Sequence, residues 1–149
     1  QPWHFYVVKE NHRAEMIEVM QKGIEKHRRK SKNLGSSENS IRIMSEASVT
    51  IFVFNPEYIN TNKIFTAKND TWNIVDVQSV GACIQNMILA ATDLGLGTLW
   101  ICDVFFAYDE LCAWLGENHQ MVAALSIGYA DESPNPRPRK PLDQVTTWL

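Results

Sequence analysis

The chain has 149 residues, 45% hydrophobic and 21% charged, with a formal net charge of −3 and a pI near 5.8, values that fit one compact domain with an ordinary core and argue against a second. The mild acidity, with no broad basic face interleaved with aromatics, gives no attraction to nucleic acid. No apolar run reaches the length of a bilayer span and the N-terminus lacks a basic-then-apolar signal layout, so a cytoplasmic protein without a membrane partner is expected.

Trp3 to Val8 joins aromatic and β-branched residues in a short run that suits a strand. Asn11 is a candidate helix cap. Met16, Ile17, Met20 and Ile24 recur at helical spacing behind it, which predicts a helix over about residues 11–30. The run Lys26-His27-Arg28-Arg29-Lys30 at its end has two readings, an anion patch or a solvated helix end whose charge opposes the macrodipole, and the second is favoured. Residues 31–40 are polar and turn-rich, hence a loop. Ala47 to Phe54 is almost continuously apolar and β-branched, as in a strand covered on both faces, and Asn55-Pro56 stops it. From Glu57 to Asn73 the pattern is poor, although Tyr58, Ile59, Ile64, Phe65 and Trp72 are present. A long loop is expected there, either functional or anchored on the surface by its aromatics.

The stretch 79–103, SVGACIQNMILAATDLGLGTLWICD, organises the rest. Val80, Ile84, Met87, Ile88, Ala91 and Leu94 share one face of a long helix, Gly95 stands where a left-handed residue would end it, and Gly97 frees the backbone again before the β-prone run Thr98–Ile101. Trp100 is expected in the core. Asn86, beside Gln85 in this mostly apolar helix, is expected to find a hydrogen-bond partner across an interface or near a ligand. Beyond Phe105 and Phe106, Leu111, Trp114 and Leu115 should face the core from a short helix ending at Gly116, and Met121–Ala130 is a second buried strand. The tail 131–141 holds Pro134, Pro136, Pro138 and Pro141 and must be largely extended. Strands separated by helices imply a layered domain of helices and sheet. Cys83, Cys102 and Cys112 show no C-x-x-C spacing and the four histidines match no H-E-x-x-H pattern, so reduced, mostly buried thiols and no metal are expected.

The run Ser79–Ile101 resembles the central signature of the nitroreductase family, flavoenzymes that bind FMN at the interface of an intertwined homodimer. Gln1-Pro2-Trp3-His4-Phe5-Tyr6-Val7-Val8 resembles the family's first strand. Ile127-Gly128-Tyr129, with Pro136-Arg137-Pro138-Arg139-Lys140-Pro141-Leu142, resembles its C-terminal strand and phosphate loop. The three pieces keep family order over nearly the whole chain. The resemblance implies an α+β domain over residues 1–149, three-layered α/β/α, with a mixed, mainly antiparallel sheet. It also implies that the family's first helix, with an Arg-x-Ser-x-Arg phosphate motif, and an Asn just before Gln-Pro-Trp are missing ahead of Gln1.

By the same resemblance the cofactor is FMN, with NADH or NADPH as electron donor, a small flat electron-poor molecule as acceptor, and a homodimer as the working form. Gln1, Pro2 and Trp3 would border the flavin, the backbone of Ile101, Cys102 and Asp103 would lie along its redox edge, and Arg137, Arg139 and Lys140 would hold its phosphate. Flavin N5 carries the hydride itself, so no catalytic side chain is required. Guanidinium forks match phosphate oxygens in bidentate fashion, and prolines reduce the entropy lost in holding them. Taken without the resemblance, that segment reads first as a solvated basic tail, and the resemblance is what favours phosphate binding. Cys102 departs from the family's usual small or acidic residue. Its plainest account is a buried strand-end cysteine. A flavin-binding or non-catalytic module that keeps the fold without turnover stands as the alternative function.

Overall fold

Phe52, Phe54 and Val53 are all fully buried, the two phenylalanines in one apolar cluster and the valine in another. Alternate residues of a strand leave from opposite faces, so a strand of this composition needs cover on both sides. The computed structural model, which describes residues 1–29, 33–59 and 71–149, supplies that cover. Four strands, β1 (His4–Val8), β2 (Val49–Ile59), β3 (Gly97–Ile101) and β4 (His119–Gly128), form a sheet in the order β1-β2-β4-β3, every described ladder antiparallel. Helices α1 (Glu10–Arg28), α2 (Ser37–Glu46) and α4 (Tyr108–Leu115) carry residues of the cluster on one face, and α3 (Thr71–Asp93) carries Val80 and Ile84 of the cluster on the other. This is the expected three-layered α+β domain, with no parallel pair among the described strands.

Met16, Met20 and Ile24 are buried along α1 as their spacing required, and so is Leu111 in α4, with Trp114 and Leu115 packed beside it. Packing between α1 and the 3-10 turn at Asp103–Ala107 is tight: a Cβ added at Gly23 would lie 2.5 Å from Ala107 Cα and closer still to its Cβ. We expect Gly23→Ala to cost roughly 1–3 kcal/mol through overpacking. That should lower Tm by about 2–4 °C per kcal/mol in a thermal melt, and an unchanged Tm would show that the two elements part freely.

Several sequence expectations change. Helix α1 is capped by Lys9, without a side-chain cap bond, so Asn11 lies inside the first turn. Its cationic end is held by acidic neighbours: Lys26 Nζ donates to Glu110 Oε1 at 2.7 Å and Arg28 pairs with Glu38 of α2 at 3.2 Å, so the run clamps helices as well as opposing the dipole. Lys30 lies outside the described residues. The loop expected over 31–40 gives way to α2 from Ser37, because Ser37, Ser40 and Met44 are buried at helical spacing with Ile41 half-buried. Small serines hold positions where a core stripe normally shows apolar residues, which hid the period.

Strand β2 passes through Asn55-Pro56 to Ile59 by way of register shifts, a setting that tolerates a proline. Buried Asn55 bridges the irregularity: its Oδ1 accepts the Glu57 N–H at 3.1 Å and its Nδ2 donates to Gln120 at 3.3 Å. Ile64 and Phe65, in the expected long loop, lie outside the described residues. Helix α3 begins at Thr71, eight residues ahead of the expected stretch. Over Trp72–Asp93 it is long and apolar enough, by length and composition, to cross a membrane, at a hydropathy of 1.4, which amends the expectation that no run is. It ends as expected, with Gly95 at φ 75° and the Leu96 N–H reaching back to the Ala91 carbonyl at 2.8 Å. Leu94 is exposed beyond the helix rather than part of its buried stripe. Gly97 does not take a positive φ; its place opposite Gly128 matters because a Cβ there would sit 3.0 Å from that of Ala130. Trp100, expected in the core, is 37% exposed on the edge strand β3, over Gly81 of α3.

Candidate functional site

β3 is an edge strand, and its outer side carries no ladder among the described residues. Buried Ile101, opposite Ala124 of β4, is its last paired residue. Cys102 then caps the 3-10 turn, whose first closing bond runs from the Phe105 N–H to the Cys102 carbonyl at 3.0 Å. The amides of Asp103 and Val104 therefore fall in a first turn that offers them no internal acceptor. The Val104 side chain is fully buried and fixes the turn from below. Asp103 ties it to α2, its Oδ2 accepting the Ser36 hydroxyl at 2.7 Å and the Ser40 hydroxyl at 2.6 Å.

Cys102 is exposed, correcting the expectation of a buried thiol. Partial burial of its sulfur still pushes the pKa up and the Asp103 charge adds to this, against a hydrogen bond from Trp100. A thiol so placed stays protonated at neutral pH and is not an activated nucleophile. All three cysteines are free, and burial pushes the Cys112 thiol up to about 12.

Gln1 and Pro2 line an open cleft of about 480 Å³ together with Glu57, Tyr58, Trp72 and Asp76, while Trp3 packs in the cluster on the α3 side of the sheet. Neither Ile101–Asp103 nor the tail cations line that cleft. β1 and β3 are opposite edges, three strand spacings or roughly 14 Å apart. Arg137, Arg139 and Lys140 stand exposed on the tail, and Arg139 Nη1 turns back to the carbonyls of Arg137 at 3.4 Å and Pro138 at 3.5 Å. Among the described residues, none of the three pairs with a carboxylate. The structure thus gathers the edge residues at one junction and leaves the N-terminal residues and the tail cations at two other places. Sequence reasoning missed Ser36 and Ser40, and also Glu57 and Asp76. The helical spacing of Ser37, Ser40, Ile41 and Met44 was the one signal for the first pair.

By chemical type, the groups at these separate places suit different parts of a flavin mononucleotide. First-turn amides suit the electron-rich edge of the ring, and three cations without carboxylate partners suit a phosphate. The cleft, with two carboxylates in its wall, does not suit a phosphate.

A second polar cluster braces the same end of the sheet. The Glu117 carboxylate, 8% exposed, accepts the Tyr6 hydroxyl at 2.9 Å and the backbone N–H groups of Asn118 and His119 at 2.7 and 2.9 Å, with His119 Nδ1 at 2.6 Å. Burial raises its pKa, but these bonds outweigh burial and bring it down to about 2. A carboxyl depressed in the folded state stabilises above its unfolded pKa, so that stability is lost as pH falls from about 4.5 through about 2. We expect a loss of roughly 3 kcal/mol over this window in denaturant titrations. Glu117→Gln should flatten that slope, and an equally steep slope in the variant would place the acid sensitivity elsewhere.

A sequence profile of the Nitroreductase family matches residues 1–129. The chain belongs to the nitroreductase family. Enzymes of this family use FMN with NAD(P)H. The nitroreductase fold is seen in solved structures that the chain resembles at low identity. A nitroreductase-like family protein from Bacillus cereus is 20% identical, with a TM-score of 0.70 over 99% of this chain and 73% of that one. The FMN-dependent nitroreductase NfnB from Mycobacterium smegmatis, solved in complex with NADPH, is 21% identical, with a TM-score of 0.69 over 99% of this chain and 79% of that one. A BluB-like flavoprotein from Clostridium difficile 630 is 21% identical, with a TM-score of 0.66 over 99% and 80% of the two chains.

Proposed function

We propose that this nitroreductase-family chain is an FMN-dependent oxidoreductase that passes electrons from NADH or NADPH to a flat, electron-poor acceptor such as a nitroaromatic or quinone. The family match over residues 1–129 carries the reading. When bound, FMN supplies at N5 the centre that takes up and hands on a hydride. The chain binds and orients. The backbone of Ile101, Cys102 and Asp103 would lie along the ring edge together with the first-turn amide of Val104, where fixed N–H dipoles favour the electron density that reduction brings. Arg137, Arg139 and Lys140 would hold the phosphate, and Gln1, Pro2 and Trp3 would border the ring. Cys102, held as a neutral thiol, takes no part in the electron transfer. Donor and acceptor using one open face in turn gives ping-pong kinetics.

The working form in this reading is a cytoplasmic homodimer built on α3. Val75, Ala82 and Leu89 recur every seventh residue on its exposed side, with Gln85 and Asn86 between. Leu89 is 58% exposed, a large apolar area for a helix to leave in water, and a partner copy would cover it more simply than a bilayer. Asn86, exposed in the single chain, is placed to bond across that face. Steady-state kinetics with NADH and a quinone test the reading: parallel double-reciprocal lines support it. A protein that holds flavin and shows no turnover would move it to a binding module.

A further inference from the structure

Beyond Ile101 the edge strand has lost its neighbour, so the sheet no longer dictates how the next amides point. Among the described residues, three features do: the Phe105–Cys102 backbone bond, the buried Val104 side chain, and the Asp103 carboxylate. The third reaches furthest. Its two hydroxyl partners lie 63 and 67 residues away in sequence, at the start of α2. Ser40 is 4% exposed, so its bond to Asp103 is sheltered from water. The turn that delivers Ser36 is itself fixed, with Gly35 at φ 55°, its N–H on Asn33 Oδ1 at 3.1 Å, and room for only 3.2 Å between an added Cβ and Asp103 Oδ1. A carboxylate at that position also favours the N-terminus of α2 electrostatically.

We propose that Asp103 is a positioning residue for the flavin's redox edge. Its carboxylate locks the first turn of α2, through Ser36 and Ser40, against the junction of β3 and the 3-10 turn, so that the amides of Asp103 and Val104 keep one orientation. The inference rests on the flavin reading above and deepens it. The side chain of Asp103 serves α2 while its own backbone serves the ring, and this explains why an acidic residue is tolerated where electron density arrives. Two hydroxyl donors and the positive end of a helix offset its charge.

The discriminating variant is the double substitution Ser36→Ala/Ser40→Ala, which removes the lock and keeps the Asp103 charge. In the protein without flavin, amide hydrogen exchange at Phe105, whose N–H closes the turn on the Cys102 carbonyl, should speed up about tenfold or more while the β2–β4 ladder is unchanged. With flavin, affinity for both FMN and riboflavin should fall by about fivefold or more, since the ring edge is common to both. The reduction potential of the bound flavin should become more negative. Asp103→Asn, which keeps an acceptor oxygen, should recover most of the affinity that Asp103→Ala loses. Unchanged exchange at Phe105, or unchanged potential and affinities in a double variant that binds flavin, overturns the proposal. If the wild-type protein binds neither ligand the flavin reading fails instead, and the exchange result alone decides whether the lock exists.

Discussion

Replacing Arg137 or Arg139 with alanine should lower FMN affinity roughly tenfold to a hundredfold and leave riboflavin affinity nearly unchanged. Each guanidinium would lose a charge-assisted contact to phosphate, worth about 1.5–3 kcal/mol, and riboflavin has no phosphate to lose. Raised salt should weaken FMN more than riboflavin for the same reason. Both arginines are exposed on a proline-rich segment, so neither substitution should disturb the core. Arg139, whose guanidinium now rests on tail carbonyls, must swing away to reach a phosphate, a modest rearrangement on an open tail. Fluorescence titration of both ligands measures the contrast. Equal losses for the two ligands, or none, would return the segment to a solvated basic tail.

Leu89→Arg should have the second large effect. In a two-fold interface the substitution enters twice, and each unpaired charge taken out of water costs about 3–5 kcal/mol, so dimerisation should weaken by more than about a thousandfold. Light scattering at micromolar protein should show a dimer for the wild type and a monomer for the variant. The monomer should also lose FMN, because the family resemblance places the flavin between two subunits. A variant that stays dimeric puts the interface elsewhere, and a monomeric wild type that carries flavin removes the dimer from the account.

Where burial and secondary-structure period agreed, the sequence was a sound guide. Met16, Met20 and Ile24 marked α1, the run around Phe52 marked a central strand, and Gly95 marked the end of α3. It misled where small polar residues stood in buried positions, as Ser37 and Ser40 do in α2: the Ser40 hydroxyl finds its acceptor, Asp103, only in the folded chain, and the Ser37 hydroxyl is buried without a hydrogen-bond partner among the described residues. Pro56 was taken for a strand end since a ladder normally needs the N–H that proline lacks, but the register shift removes that need. Trp100 looked like core by residue type, yet on an edge strand it stays more than a third exposed. The candidate site was legible as three separate segments. The Asp103–Ser36–Ser40 lock was not, since it joins residues more than sixty positions apart whose types are common in loops.

The central claim is that this chain holds a flavin that NAD(P)H reduces, and the absorption spectrum of the purified protein tests it most directly. Saturated with FMN and freed of excess by gel filtration, the protein should keep the visible flavin bands. Anaerobic NADH or NADPH should bleach them, and a quinone should restore them. A protein that emerges colourless, or whose colour neither nicotinamide bleaches, would contradict the account.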